Sequence, residues 1–275
     1  MKKISIIYHS GVGNTKLVAR IMKKILEKEQ INVYLKSVEA PIDKEEITES
    51  SALIFGFPTY HASPSTSMKL FIENNDWLST IHKPYFVYTT YGLYSGDALR
   101  IFAKLLDEKA ETREKLFPVY EGGYRMAATD GVLLAPRLSF FQTFEKNLVE
   151  NIKQDLSNFK AILASEHVEA HVKFPKARRS AIFNYPNKKA GEWFKFKIKV
   201  DHETCITCNK CVMVCPHDCL SMSEDSKIIF EAPNCENCYR CVHDCPVQSL
   251  SITKRPPKKQ LKQRDFNQFL KNMEV

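Results

Sequence analysis

The first 204 residues of this 275-residue chain contain no cysteine, whereas nine cysteines fall between Cys205 and Cys245. The absence of cysteine from residues 1–204 excludes a cysteine nucleophile or a thiolate-ligated metal from the larger part of the chain. The sequence also lacks any apolar run near the roughly 20 residues of a membrane-spanning helix. The apolar stretch at 4–8 is interrupted by Ser5 and is too short for a signal-peptide core. We therefore expect a cytoplasmic protein without a membrane span.

The composition, with 44% apolar and 26% charged residues, is that of a folded protein and excludes a disordered or collagen-like chain. A length of 275 residues is typical of two domains. The net charge of +8 arises entirely at 171–199, which holds nine basic residues and one acidic residue. The flanking segments, 1–170 and 200–275, are each neutral. Charge and cysteine content therefore both divide the chain into two modules.

The cysteines follow a repeated pattern, C-x-x-C-x-x-C-x-x-x-C-P, with an offset of 30 residues. Other positions repeat with the same offset, among them Lys210 with Arg240 and Leu220 with Leu250. This agreement indicates an internal duplication. The eight cysteines of the pattern are Cys205, Cys208, Cys211 and Cys215 in the first copy, and Cys235, Cys238, Cys241 and Cys245 in the second.

This spacing predicts two 4Fe–4S clusters, because three closely spaced thiolates converge on one cluster while the fourth ligates the cluster of the other copy. We assign one cluster to Cys205, Cys208, Cys211 and Cys245, and the other to Cys235, Cys238, Cys241 and Cys215. Zinc sites and disulfides are the alternatives, but a C-x-x-C triplet with a fourth C-P, given twice, is far from the usual zinc pattern. The ninth cysteine, Cys219, does not belong to the repeated pattern, and we interpret it as a buried free thiol.

Over roughly 199–254 the cysteine block resembles a bacterial two-cluster ferredoxin. Such ferredoxins often carry glycine where this chain has Thr207 and Asn237. Asparagine tolerates a left-handed backbone and threonine does so poorly, so Thr207 leaves the loop geometry of the first copy open but does not affect its ligands. Because so small a block buries little apolar surface, its folding is expected to depend on its metal.

In the first module, strand-like runs alternate with helical runs, which indicates a parallel sheet covered on both faces. Strands are predicted at 3–8, 33–36, 52–57, 85–90 and 116–120, and helices at 16–29, 65–74, 98–109 and 144–164, with a weak helix at 43–50. Ligands of such sheets bind at the carboxyl ends of the strands, where the winding order reverses.

A loop rich in glycine and hydroxyl groups separates the first strand from the first helix: Ser10, Gly11, Val12, Gly13, Asn14 and Thr15. It lacks the glycine-lysine ending of a Walker loop, and Lys16 stands where a dinucleotide fingerprint has its third glycine. Backbone amides at a helix start favour an anion. A single monophosphate therefore suits this loop better than a diphosphate.

Residues 6–15 resemble the flavin-mononucleotide (FMN) signature of the flavodoxins. The resemblance implies a doubly wound, five-stranded parallel α/β sheet over about 1–165 and two further loops around the flavin ring. These loops are Pro58, Thr59, Tyr60 and His61 after the third strand, and Thr90, Tyr91, Gly92, Leu93 and Tyr94 after the fourth. We expect His61 to serve packing or hydrogen bonding, and we assign no catalytic residue.

The predicted domains are a flavodoxin-like domain at 1–170, a basic, aromatic linker at 171–198, a small α+β two-cluster ferredoxin domain at 199–254 and a basic tail at 255–275. The linker is predicted to pack on both modules, and a single-stranded nucleic-acid groove is the alternative. The tail is predicted to be a mobile basic end or a docking strip.

The modules together resemble flavodoxin–ferredoxin fusions, which implies electron transfer between FMN and two 4Fe–4S clusters in an oxygen-poor cell. The alternative is an FMN-dependent reductase of a quinone or another small acceptor, fed through the clusters. The expected partners are redox proteins, such as acidic ferredoxin- or flavodoxin-type carriers or reductases, and not nucleic acid. The direction of electron flow, the potentials and the oligomeric state do not follow from the sequence.

Overall fold

The computed structural model describes residues 3–110, 115–170, 172, 174, 197–231, 233–253 and 256–261. Most of the predicted linker at 171–198 and most of the predicted tail at 255–275 lie outside the described residues. In the described part of the chain, no helix is long and apolar enough to cross a membrane.

Five parallel strands form the central sheet in the order β2-β1-β3-β5-β6. They are β1 (Lys3–Tyr8), β2 (Asn32–Ser37), β3 (Ala52–Tyr60), β5 (Pro84–Tyr91) and β6 (Phe117–Arg125), and the short β4 (Ser63–Pro64) pairs antiparallel with β3. This order confirms the predicted flavodoxin-like, doubly wound α/β sheet. The winding reverses between β1 and β3, so their carboxyl ends open a crevice at that point.

Helices cover both faces of the sheet: α1 (Asn14–Lys28), α2 (Lys44–Glu49), α3 (Thr66–Glu73), α4 (Ala98–Lys109), α5 (Thr129–Leu134) and α6 (Leu148–Leu163). Short 3₁₀ turns occupy Asp76–Thr80 and Ser139–Gln142. One apolar core lies under α1 and α6, and a second lies under α3 and α4. Every residue of β1 is buried, because a parallel strand between two helical layers has no solvent face.

Two strands extend further than the sequence predicts. β3 continues to Tyr60 because Thr59 and Tyr60 pair with β4, a contact made after the chain turns back. β6 continues to Arg125 through Gly122 and Gly123, which pair with β5. Glycine is unfavourable in an isolated strand, so this pairing overrides the local preference. The short helix α5 was also not predicted.

The cysteine block forms a small α+β unit with β7 (Lys199–Val200), α7 (Lys210–Met213), β8 (Leu220–Met222), β9 (Ile228–Phe230), α8 (Arg240–Asp244) and β10 (Leu250–Ser251). Its strands exchange between the two copies of the repeat. Val200 of β7 pairs with Leu250 of β10, and Leu220 of β8 pairs with Phe230 of β9. These two pairs are equivalent under the 30-residue offset, so neither copy completes a sheet alone.

The backbone of each cysteine loop passes through the left-handed region where ferredoxins carry glycine. The φ angle is 51° at Thr207 and 58° at Asn237. A branched threonine in this region is strained, whereas asparagine accepts it readily. The two loops therefore share one backbone conformation, which the first copy adopts in spite of its threonine.

Candidate functional site

The loop between β1 and α1 forms the floor of the crevice at the sheet edge. Gly13 has a φ of 105°, a conformation that side-chain-bearing residues rarely adopt. The hydroxyl of Ser10 folds back and accepts hydrogen bonds from the amides of Gly13 at 3.1 Å and Lys16 at 3.2 Å. The loop is therefore shaped by its own side chains before any ligand is bound.

Two residues of this loop tie it to neighbouring strands. The hydroxyl of Thr15 lies 2.8 Å from that of Thr90 at the end of β5. The side-chain amide of Asn14 donates to the carbonyl oxygen of Ala127 at 2.8 Å. The Asn14 carbonyl oxygen is buried and has no hydrogen-bond partner in the described part of the chain. A carbonyl oxygen accepts a hydrogen bond, so this buried atom fits a ligand that brings a donor to the cleft.

These elements line one open cleft at the carboxyl ends of the strands, the place where parallel α/β sheets bind their ligands. Most of the predicted flavin-site residues line it: Ser10, Gly11, Val12, Asn14, Thr15, Pro58, Thr59, Tyr60, His61, Thr90, Tyr91 and Gly92. The remaining three do not line this cleft. Gly13 is buried and lines a neighbouring cavity instead, while Leu93 and Tyr94 are exposed.

The cleft has two walls that sequence reasoning missed. One wall is residues 127–130, which follow β6. The rule that ligands bind at strand carboxyl ends would have found it had β6 been extended to Arg125. The other wall is Asn237 and Tyr239 from the second cysteine loop. Their presence depends on how the modules pack, and no local sequence signal indicates it.

The cysteines surround two further cavities. One is lined by Cys205, Cys208, Cys211 and Cys245, and the other is lined by Cys215, Cys235, Cys238 and Cys241. Each cavity therefore takes three cysteines from one copy of the repeat and the fourth from the other. We name them cavity I and cavity II. None of the nine cysteines, all of which the structure describes, forms a disulfide.

Four thiols around each cavity are the ligand set of a polynuclear iron–sulfur group. In the described residues, no three His, Cys, Asp or Glu side chains converge closely enough to hold a single metal ion. Burial raises the pKa of the Cys238 and Cys241 thiols well above the usual value. Because such ligands bind as thiolates, the bound metal group has to supply the compensating positive charge.

Cys219 lies at the edge of cavity II with its sulfur buried. It hydrogen-bonds to the carbonyl oxygen of His217, and its amide donates to the sulfur of Cys215 at 3.3 Å. Burial raises the pKa of its thiol to about 12, so the group stays protonated. The predicted burial of this thiol is confirmed, and its separation from the cluster ligands stays a prediction.

Arg240 joins the second cysteine loop to the first loop of the α/β sheet. Its guanidinium donates to the carbonyl oxygens of Ser10, at 2.7 Å, and Gly11. It also pairs with the carboxylate of Glu39. Although burial raises the pKa of Glu39, hydrogen bonds from Arg240 and His9 outweigh it and hold the pKa at about 2. The carboxylate is therefore charged at all ordinary pH values.

A second polar contact lies beside it, where Glu236 meets the start of α3. The carboxylate of Glu236 accepts from the amide of Ser67 at 3.2 Å and from its hydroxyl at 3.3 Å. His217 lies 3.3 Å from the same carboxylate, and the buried His9 ring lies 3.5 Å away. Burial raises the pKa of Glu236, but the two histidines outweigh it and hold the pKa below its usual value.

Cys238 packs directly on the candidate anion loop. A methyl group on Gly11 would lie 2.9 Å from the Cβ of Cys238 and would overlap the hydroxyl of Tyr60. Burial raises the pKa of Tyr60 well above its usual value, with Cys238 and Glu236 adding to the effect. Glycine at position 11 therefore allows a predicted cluster ligand to touch the loop that lines the cleft.

His243 closes the other side of this interface. Its Nδ1 accepts from the amide of Leu261 at 3.0 Å, so Nε2 carries the hydrogen and donates to the carbonyl oxygen of Thr129 at 3.0 Å. Gln260 donates to the carbonyl oxygens of Val242 and Cys245. Residues 260 and 261 are buried, so the described beginning of the predicted tail packs on the cysteine unit.

Comparison with known proteins agrees with this division of the chain. Residues 198–252 match the family model of the 4Fe–4S dicluster domain. A flavodoxin of Clostridium saccharobutylicum is 38% identical over 74 residues, which are 26% of this chain. The chain matches only 46% of the length of that flavodoxin.

Solved flavodoxins are similar to the α/β part. A flavodoxin from the domain Archaea is 19% identical, covers 58% of this chain and 97% of its own, and superposes with a TM-score of 0.41. The flavodoxin of Streptococcus pneumonia TIGR4 is 18% identical, with coverage of 58% and 98% and a TM-score of 0.42. Oxidised Flavodoxin 2 of Bacillus cereus is 22% identical, with coverage of 58% and 98% and a TM-score of 0.40.

The strand order of the sheet and the match at 198–252 describe the two parts of the molecule separately. The chain combines an α/β unit that has the flavodoxin-like strand order with a segment, 198–252, that matches the 4Fe–4S dicluster domain, and in this combination it is similar to a flavodoxin–ferredoxin fusion.

Proposed function

We propose that this chain is an electron-transfer protein in which electrons pass between FMN in the cleft and two 4Fe–4S clusters in cavities I and II. The observation that carries the proposal is the shared wall of the cleft. Asn237 and Tyr239 line the cleft from one side, and the intervening Cys238 lines cavity II. Only the second cysteine loop would then separate a group bound in the cleft from a group bound in cavity II.

The residues of the cleft fit FMN. Ser10, Asn14 and Thr15 surround the start of α1, where amides and hydroxyls suit a monophosphate. Tyr60 and Tyr91 line the part of the cleft formed by the second and third loops. Aromatic side chains there would pack against a flat ring system. We therefore assign the phosphate to the first loop and the ring to the other two.

The residues of the cysteine unit fit two clusters, with the four ligands of each cavity as predicted from the spacing. When bound, FMN can exchange one or two electrons, whereas each cluster exchanges one. A protein that holds both can therefore pass electrons between two-electron carriers and one-electron carriers. The contribution of the protein is to hold the two kinds of site at a fixed distance from each other. Arg240 and Glu236 fix the second cysteine loop against the cleft, and one polypeptide replaces a collision between two proteins.

The test is one preparation reconstituted without oxygen. We expect about eight iron atoms and one FMN per chain, and bleaching of the cluster absorption when the flavin is photoreduced. The matched control is a Cys211→Ala chain that keeps FMN and loses a cluster. Iron near four in the wild type, or flavin photoreduction that leaves the clusters oxidised, would contradict the proposal.

The reductase alternative predicts a different outcome. A small-molecule reductase would reoxidise with quinone at many turnovers per chain, whereas a carrier would require a protein acceptor. The same preparation tests the expected redox partners, since a physiological carrier protein should reoxidise the photoreduced chain.

A further inference from the structure

Residues 256–261 lead back from the cysteine unit to the α/β unit, after strand β10 has ended at Ser251. The segment forms no helix or strand. Pro257, Gln260 and Leu261 are nevertheless buried, whereas its other three residues are exposed. Contacts of individual residues, and not a ladder of backbone hydrogen bonds, therefore hold the segment in place.

The cysteine unit holds this segment by hydrogen bonds. The side-chain amide of Gln260 donates to the carbonyl oxygens of Val242 at 2.8 Å and Cys245 at 2.9 Å. The backbone amide of Leu261 donates to Nδ1 of His243 at 3.0 Å. All three acceptors belong to buried residues. Loss of the segment would leave buried acceptors without these partners, which is unfavourable.

The side chain of Leu261 packs in a small apolar cluster of the α/β unit. The other buried members are Val12, Ala127 and Val132, and the partly buried Phe144 packs against them. None of the four buried members belongs to either core of the sheet. Three of them come from the α/β unit, and Leu261 comes from the segment that follows the cysteine unit.

Two members of this cluster also line the cleft. Val12 belongs to the loop between β1 and α1, and Ala127 belongs to the wall at 127–130. The side-chain amide of Asn14 joins the same loop to the same wall, since it donates to the Ala127 carbonyl oxygen at 2.8 Å. Leu261 therefore packs with one residue from the floor of the cleft and one from its wall.

We propose that residues 258–261, which we name the clasp, position the floor and the wall of the cleft for FMN, with Leu261 as the positioning residue. This inference rests on the proposed function. Gln260 fixes the clasp to the cysteine unit, and the apolar side chain of Leu261 is buried in the α/β unit. A cleft whose floor and wall are already in place loses less conformational entropy when it binds a ligand.

The same arrangement predicts a local effect. Because Leu261 belongs to neither core of the sheet, its removal should loosen the cleft without unfolding the α/β unit. The hydrogen bonds of Gln260 and of the Leu261 backbone do not involve the Leu261 side chain. A substitution of that side chain should therefore leave the attachment of the clasp to the cysteine unit, and the iron content, unchanged.

The experiment titrates FMN into the iron-loaded 275-residue chain by calorimetry without oxygen, and measures FMN dissociation by stopped flow. Leu261→Ala leaves a cavity in the cluster and should raise both the Kd and the dissociation rate about tenfold. Leu261→Met conserves the side-chain volume and should bind FMN within about twofold of the wild type. The matched control is Leu138→Ala, at a position that is 55% exposed, which should also bind as the wild type does.

Two shortened chains test the clasp as a whole. A chain that ends at Leu261 keeps the clasp and should bind FMN as the wild type does. A chain that ends at Pro257 lacks the clasp and should bind FMN roughly tenfold more weakly or worse. Equal affinities of the two shortened chains would overturn the inference.

Further outcomes of the Leu261→Ala measurement separate the possible failures. A loss of iron, or a lower thermal midpoint of the FMN-free chain, in proportion to the loss of FMN affinity would limit Leu261 to stabilising the fold and overturn the inference. If the wild type binds no FMN, the proposed function has failed and the clasp inference fails with it. If the wild type binds FMN and Leu261→Ala binds it like Leu138→Ala, only the clasp inference has failed.

Discussion

The guanidinium of Arg240 donates a hydrogen bond to the carbonyl oxygen of Ser10 at 2.7 Å, and so joins residues 230 positions apart. A second hydrogen bond reaches the carbonyl of Gly11. The candidate phosphate loop is thus held from its outer side by the cysteine unit, while its inner side lines the cleft. The equivalent position of the other repeat, Lys210, is exposed.

Arg240→Ala should weaken FMN binding without removing iron. Hydrogen bonds from a charged group contribute about 1.5–3 kcal/mol, so we expect the Kd for FMN to rise roughly ten- to a hundredfold. Fluorescence quenching of FMN measures this value, and iron analysis accompanies it. Lys210→Ala is the matched control and should bind FMN as the wild type does. Equal affinities of the two variants would show that Arg240 does not position the loop.

Thr15→Val should also weaken FMN binding, through the cleft itself. The change removes a hydroxyl that lies 2.8 Å from Thr90 and faces the proposed phosphate. We expect a loss of about 1 kcal/mol, or a Kd roughly five times higher, with unchanged iron. Thr48→Val, at an exposed position on α2, serves as the control. An unchanged Kd in Thr15→Val would place the phosphate elsewhere.

Two cysteine substitutions distinguish a cluster ligand from a cysteine that does not bind a cluster. Cys211→Ala removes a thiol that lines cavity I, and we expect about half of the iron to be lost together with the thermal stability of the small unit. Cys219→Ala removes a buried thiol at the edge of cavity II and should retain the full iron content. Iron analysis and visible absorption measure both. Loss of iron from Cys219→Ala would make that residue a ligand.

Gly11→Ala should force the two units apart. The added methyl group would overlap the Tyr60 hydroxyl and lie 2.9 Å from the Cβ of Cys238. We expect weaker FMN binding and faster loss of the cluster in cavity II to a chelator. Adding Tyr60→Phe removes one of the two overlaps, so the double variant should recover part of both properties. If Gly11→Ala matches the wild type in both measurements, the contact between the units is looser than described.

The stability of the interface should depend on pH through His243. Burial lowers its pKa to about 4, from 6.5 in the unfolded chain. The neutral ring stabilises the fold, and this stabilisation is complete above pH 6.5. Between pH 6.5 and about 4 the unfolded state binds the proton, so stability falls by up to ~1.4 kcal/mol per pH unit.

The measurement compares the thermal midpoints of wild type and His243→Gln from pH 7.5 to 4.5. Glutamine can donate to the Thr129 carbonyl and accept from Leu261 as the neutral histidine does, but it does not titrate. The wild type should therefore lose more stability than the variant as the pH falls. Parallel curves for the two proteins would contradict the assigned pKa shift.

Much of the fold follows from local patterns. The alternation of strand and helix predicted the five-stranded sheet, and α4 begins and ends where the apolar periodicity predicts. The 30-residue repeat predicted the two cysteine sets that surround cavities I and II. Such patterns are readable because burial of one face imposes a fixed period on neighbouring residues.

The interface was not predictable in the same way. Nothing in the sequence around Arg240 or Glu236 indicates that the first bonds to Ser10 and the second to Ser67. The extension of β3 to Tyr60 and of β6 to Arg125 likewise depends on partners that the chain meets later. Long-range contacts of this kind leave no periodic signal, because each requires only one suitable side chain at one place.

The sequence by itself therefore determined the two units, their folds and the spacing of the cysteines, since hydrophobic period and ligand spacing are local quantities. Only the tertiary structure decided which half of the duplicated unit faces the cleft. Two halves with the same backbone pattern differ in a few side chains, and those side chains act only when another surface lies within hydrogen-bond distance. Arg240 meets that surface, and Lys210, at the equivalent position, is exposed.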